Sequence, residues 1–176
     1  MKLDKRNDLP ADRNGFTLIE LLVVIFIIGI LATLIISNLQ GARQRAQDSS
    51  KKSELHQLKT ALRLYYNDYQ KYPDDATANL TLAGCGTAGT SPCPSCGSAD
   101  FAAGGTDGCQ TTYMKDITPQ GSYFFFKYYD CDDDDDFRLK TTLENLSDSE
   151  IAESQNRCPV CGTQTYGDGD YVLCAD

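Results

Sequence analysis

Residues 15–39 read GFTLIELLVVIFIIGILATLIISNL. From Leu18 to Ile36 only Glu20 and Thr33 are clearly polar. That run matches the roughly 20 residues a helix needs to cross a bilayer core. Lipid offers no partner to backbone N–H and C=O groups, so such a segment must satisfy them internally, as a helix. Glu20 is the residue a plain anchor does not require. A carboxylate at the start of an apolar helix is costly and points to function. The simpler alternative is an anchor whose Glu20 reaches the headgroup layer.

Helical signals run on past the apolar stretch. Gly29 and Gly41 are the only glycines between Phe16 and Tyr72, and no proline interrupts before Pro73. Leu55, Leu58, Leu62, Tyr65, Tyr69 and Tyr72 recur at spacings of three and four, one stripe of a helix, with Lys59, Arg63, Asn67 and Asp68 facing elsewhere. The pattern predicts one helix over about 16–71, roughly 80 Å long at ~1.5 Å per residue, stopped by Pro73-Asp74-Asp75. Residues 74–121 are rich in glycine and turns and read as a long cysteine-rich loop, with Leu80 and Leu82 docking it to the core. The aromatic run Ser122–Tyr129 reads as a strand, and the acidic run at Asp130 and Asp132–Asp136 as a turn. Phe137–Thr142 then pairs back antiparallel, ended by Leu143-Glu144-Asn145. Ser147–Glu153 reads as a short helical turn and Tyr171–Cys174 as a third strand. The fold class is α+β: a long N-terminal helix on a small antiparallel sheet of three or so strands.

Charge is unevenly spread over the 176 residues, whose net charge is -9. After Pro73 there are 18 acidic and 5 basic residues; before it, 7 acidic and 11 basic. An acidic distal part argues against direct nucleic-acid binding, which wants clustered Lys and Arg. Arg43, Arg45, Lys51 and Lys52 form a basic collar beyond the apolar run, which solvates the foot of the helix or, packed side by side in a polymer, could meet lipid headgroups or DNA. No Ser-His-Asp, paired-carboxylate or phosphate-loop constellation is present, and His56 is the sole histidine, at the flank of the stripe. The chain does not read as an enzyme.

Eight cysteines need an explanation. Cys93-Pro94-Ser95-Cys96-Gly97 and Cys158-Pro159-Val160-Cys161-Gly162 are two CPxCG knuckles. Four thiolates in such pairs suit zinc or iron. Disulfides among Cys85, Cys93, Cys96, Cys109, Cys131, Cys158, Cys161 and Cys174 account for the full set without a cofactor, in an oxidising compartment. A redox-active CxxC is a third reading. The acidic run and Asp168-Gly169-Asp170 offer oxygens for calcium, or are solvated turns.

Gly15-Phe16-Thr17-Leu18-Ile19-Glu20 followed by an unbroken apolar run resembles the class III signal of type IV pilins and type II secretion pseudopilins. The Tyr-Pro end of the stem, Tyr72-Pro73, is similar to theirs. The resemblance implies a cytoplasmic leader over 1–15, a transmembrane and filament-core half-helix over 16–39, and an extracytoplasmic head over 40–176. It implies a prepilin peptidase that cuts between Gly15 and Phe16 and methylates the new Phe16 amine. It also implies that Glu20 meets the Phe16 amine of a neighbouring subunit. The expected partners are further copies of the chain, the peptidase, the inner-membrane assembly platform and, before assembly, the membrane. Major pseudopilins carry a calcium site late in the head, and Asp168 and Asp170 are the nearest equivalents. The main expectation is a surface pilus subunit, with a secretion pseudopilin as the alternative. A membrane-anchored zinc, iron or redox module is the competing class.

Overall fold

A computed structural model describes residues 15–76, 81–94, 96, 99–117, 126–131, 135–162 and 164–175, without the side chains at 34, 36–38, 76 and 81. The chain divides into two units, Met1–Gln40 and Gly41–Asp176. Helix α1 covers Leu18–Tyr69, 52 residues. It stops two residues short of the expected end. Gln70 takes a left-handed φ of 55°, and its side-chain amide donates to the carbonyls of Tyr66 and Asn67. The last turn is thus closed by its own neighbour before Pro73 is reached.

In the second unit Leu55, Leu58, Leu62 and Tyr65 of α1 are fully buried, as the stripe requires. Tyr69 is only partly buried, and Tyr72 enters the same core from beyond the helix end. The stripe packs with Leu82, Phe101, Ile117, Tyr128, Phe137, Leu139 and Leu173. Tyr65 donates its hydroxyl to the Gly89 carbonyl at 2.7 Å, and Tyr128 donates to the Pro73 carbonyl at 2.6 Å. Each buried phenol is therefore satisfied by a loop backbone.

Three antiparallel sheets follow. The stretch expected to be one long loop carries four short strands. β1 (Asp74–Ala76) pairs β2 (Thr81–Ala83), and β3 (Phe101–Ala103) pairs β4 (Thr111–Met114) through a bulge between Phe101 and Ala102. Three- and four-residue strands leave no periodic signature, which is why the sequence hides them. Of the two leucines expected to dock this region, Leu82 is buried; Leu80 lies outside the described residues.

The main sheet has the order β5-β6-β7. β5 is Lys127–Cys131, later than the expected Ser122–Tyr129; residues 118–125 lie outside the description. Asp130 and Cys131, expected in the turn, belong to the strand, pairing with Phe137 and Asp136 of β6 (Asp136–Thr142). Asp132–Asp134 also lie outside the description. β7 (Asp170–Cys174) pairs the other edge of β6, Leu139 opposite Leu173. All of β7 is buried because its two faces meet different clusters: Tyr171 and Leu173 the main core, Val172 and Cys174 a smaller one with Cys158 and Tyr166.

The expected short turn at 147–153 is helix α2, Ser149–Arg157, nine residues. Asp148 is its N-cap, accepting from the Glu150 N–H at 3.0 Å. Two of the collar lysines belong to the head rather than to a free basic band. Lys52 reaches Asp148 at 2.6 Å and Glu150 at 2.9 Å, and Lys51 donates to the Thr142 carbonyl at 3.0 Å. Arg43 and Arg45 are exposed.

Candidate assembly site

The N-terminal site begins with an exposed Gly15-Phe16 step ahead of α1. Phe16 is 91% exposed. Thr17 follows as the residue preceding the helix, and it forms a reciprocal cap with Glu20. The Thr17 N–H donates to Glu20 Oε2 at 2.9 Å, its hydroxyl donates to the same oxygen at 2.7 Å, and the Glu20 N–H donates back to Thr17 Oγ1 at 3.3 Å. This is the capping box, a Thr three residues before a Glu, each satisfying a backbone donor that the first helical turn leaves free. The T-x-x-E pattern was readable in the sequence. The side chain that carries the costly charge is also the one that closes the cap.

Beyond Glu20 the described residues of the first unit form no core of their own. Its large apolar side chains with described placement, from Phe16 to Leu39, are 48% to 91% exposed. Gly29 lies in a groove of about 560 Å³ with Leu22, Ile25, Phe26, Ile30 and Thr33, and a Cβ added there would meet nothing within 4 Å. A helix apolar on all sides must be covered by lipid or by other helices. Among the described residues no helix is long and apolar enough to cross a membrane.

These first residues are the ones that known proteins share. The family described as "Prokaryotic N-terminal methylation motif" matches residues 11–36. Over its N-terminal segment the chain is similar to type II secretion core proteins and to a type IV pilus component. Type II secretion system core protein G of Aeromonas hydrophila is 43% identical over 61 residues, which cover 35% of this chain and 43% of that protein. Its namesake in Vibrio cholerae is 35% identical over 82 residues, 47% of this chain and 54% of that one. The type IV wide pilus major component PilA4 of Thermus thermophilus is 43% identical over 69 residues, 39% of this chain and 53% of that one. The chain thus spans about half or less of the length of these relatives. No solved structure matches it.

In the second unit all eight cysteines are paired: Cys85–Cys93, Cys96–Cys109, Cys131–Cys161 and Cys158–Cys174. Each knuckle is split between two disulfides, so neither is a free dithiol and none of its sulfurs is a thiolate of the kind a metal binds. Arg138 of β6 donates to the Pro159 carbonyl at 2.9 Å and Tyr166 to the Cys158 carbonyl at 2.9 Å, fixing the second knuckle's backbone. That knuckle ties β5 through Cys131 and β7 through Cys174, the two edges of the sheet.

Asp170 faces Lys140 at 3.0 Å, accepts from Thr142 Oγ1 at 2.9 Å and from the Gly167 N–H at 2.8 Å. Burial pushes its carboxyl up, but those hydrogen bonds and the ammonium win and hold it below the usual range. A cation at Asp168 and Asp170 would have to compete with Lys140 for that carboxylate. Among the described residues no group of three His, Cys, Asp or Glu side chains is placed to hold a metal ion. His56 is exposed and lies 3.2 Å from the Tyr171 hydroxyl.

Proposed function

We propose that this chain is a structural, non-catalytic subunit of a type IV pilus, which works by polymerising through its N-terminal helix. The observation that carries the reading is the juxtaposition at residues 15–20. An exposed Gly15-Phe16 step, a capped carboxylate at Glu20 and an uncovered apolar helix lie inside the segment that matches the methylation motif. In this reading residues 1–15 are removed by prepilin peptidase, the Phe16 amine is methylated, and residues 16–39 pass from the membrane into the filament core. The head over 40–176 forms the filament surface. Glu20 then accepts the Phe16 ammonium of a neighbouring copy, since a carboxylate moved into an apolar bundle needs a partner.

Intact mass spectrometry of protein from its native cell tests the processing, with an N-methylated Phe16 terminus expected and an uncut chain refuting it. Glu20→Leu should leave the protein in the membrane but out of filaments; normal incorporation would remove the role given to Glu20.

The relatives named as secretion core proteins support a second reading, a periplasmic pseudopilus. Four disulfides bracing the head favour exposure outside the cell. Antibody labelling of intact cells separates the two: label on surface filaments supports the pilus, and label only after outer-membrane permeabilisation supports the pseudopilus.

A further inference from the structure

The two knuckles are built alike. In each, the first cysteine joins a buried disulfide: Cys93, 5% exposed, with Cys85, and Cys158, 2% exposed, with Cys174. The second, Cys96 or Cys161, joins a disulfide that is partly accessible. Cys161 also opens on a cleft of about 450 Å³ lined by Tyr129, Lys140 and Gln164. The native partners stand 8, 13, 30 and 16 residues apart. Within a knuckle the two cysteines stand only three apart.

In the unfolded chain a thiol meets its partner with a probability that falls as about the 3/2 power of the loop length. The three-residue closure is therefore favoured by about 4-fold over the 8-residue one and about 30-fold over the 30-residue one. Rings of this size do close, as Cys-x-x-Cys redox motifs show. We infer that oxidation of this head first captures Cys93–Cys96 and Cys158–Cys161, and that an exported dithiol isomerase must rearrange them into the native set.

The rearrangement balances without net oxidation once an exported thiol oxidase has removed the eight thiol hydrogens. Capture of both knuckles leaves Cys85, Cys109, Cys131 and Cys174 to pair as Cys85–Cys109 and Cys131–Cys174. An isomerase thiolate attacks Cys96 Sγ, breaking Cys93–Cys96 and releasing the Cys93 thiolate. Cys93 attacks Cys85, forming Cys85–Cys93 and releasing Cys109 as thiolate. Cys109 attacks Cys96 and expels the isomerase thiolate. The second knuckle follows the same route: attack at Cys161 frees Cys158 to take Cys174, and the released Cys131 closes on Cys161. Burial of Cys93 and Cys158 in the folded head withdraws them from further attack, which makes the final set the stable one.

The test uses the full chain, reduced and denatured, then diluted into detergent with diamide as oxidant and no free thiol. Alkylation and disulfide peptide mapping should show Cys93–Cys96 and Cys158–Cys161 exceeding each native pair by about 4-fold or more. A glutathione redox pair or a purified disulfide isomerase should convert them to the four native pairs. Native pairing under diamide alone, or knuckle disulfides that persist with isomerase, would overturn the inference. The quadruple variant Cys96→Ser, Cys109→Ser, Cys131→Ser, Cys161→Ser should form Cys85–Cys93 and Cys158–Cys174 with diamide alone; if it too needs a thiol, knuckle capture is not the obstacle. Because the readout never involves a filament, its failure is separable from failure of the pilus reading.

Discussion

Thr17 and Glu20 close the first turn of α1 on each other, with both Thr17 donors on Glu20 Oε2 and the Glu20 N–H on Thr17 Oγ1. In the filament reading, the Glu20 carboxylate is therefore not bare before assembly. It already accepts two hydrogen bonds from its own chain, and a neighbour's ammonium would compete with them or add to them.

Thr17→Ala separates capping from charge, because Glu20 remains. Loss of the cap should cost about 1 kcal/mol. Amide exchange at Glu20, whose N–H loses Thr17 Oγ1, and at Leu21, which donates to the Thr17 carbonyl, followed in detergent by NMR, should then speed up by about fivefold. Unchanged exchange would mean that the box does not hold the turn. Glu20→Gln keeps an acceptor of the same length, so it should preserve most of the protection while removing the charge that the filament reading requires.

How much of this could be read beforehand depends on the length scale of each signal. The Leu55-Leu58-Leu62-Tyr65 stripe is visible because it repeats a period over several turns, and the apolar run and the β5–β6 hairpin because their composition is distinctive over several residues. β1 to β4 are too short to repeat anything, and their pairing is set by tertiary packing and two disulfides. α2 was underestimated although Asp148, two residues ahead of Glu150, is a good N-cap, since only Ile151 and Ser154 of the helix are buried. The disulfide partners were illegible for a different reason. Knuckle spacing suggests that cysteines three apart act together, whereas the fold sends them to separate partners, Cys85 and Cys109 for one knuckle and Cys174 of β7 and Cys131 of β5 for the other.

Asp48, in a stem segment with no sequence signal of its own, is 2% exposed and accepts from the backbone N–H groups of Glu144 and Asn145, both at 2.8 Å. These bonds tie α1 to the loop between β6 and α2. Asp48→Ala strands two donors in a closed site and should destabilise the head by about 2–4 kcal/mol. Asp48→Asn keeps one acceptor oxygen and should fall between. Urea unfolding of the full chain in detergent, read by circular dichroism, measures both. A midpoint for Asp48→Ala equal to that of the parent would show that the clasp carries no stability.

Acid should loosen the same region. The hydrogen bond from Lys52 holds Asp148 below the usual carboxylate range, and Asp170 is held down by Gly167, Lys140 and Thr142 against its burial. A depressed folded value contributes stability that is complete above the unfolded value, about 4, and is lost as pH falls through the folded one. Lys52 behaves oppositely. Burial lowers it, but Asp148 and Glu150 win and raise it, so its share persists through neutral pH and fades only above the ordinary lysine range. The urea midpoint should therefore be level from pH 7 to about 5 and drop below about 4. Lys52→Gln and Lys140→Gln should each make that drop shallower. A parent profile that stays level down to pH 2 would contradict the assignment.

Tyr65 and Gly89 provide the sharpest test of how the cysteine-rich region sits on the helix. Gly89 has a left-handed φ of 67°, and a Cβ there would come 2.7 Å from the Tyr65 hydroxyl and 3.1 Å from the Tyr69 ring. Burial, aided by Tyr69 and Asp74, pushes the Tyr65 phenol up to about 12, so it stays a donor throughout the working range. Tyr65→Phe removes the donor to the Gly89 carbonyl, at a cost of about 1–3 kcal/mol. Gly89→Ala adds about 1–2 kcal/mol of backbone strain and drives its methyl into that same hydroxyl. The two changes must interact, because deleting the hydroxyl also deletes the nearest obstacle to the methyl. In the Tyr65→Phe background, Gly89→Ala should cost less than in the parent, by more than the ~0.5 kcal/mol expected of independent sites. Strict additivity in the double-mutant cycle would mean that the loop relaxes away from α1 in the variants, and that Gly89 is set by its φ alone.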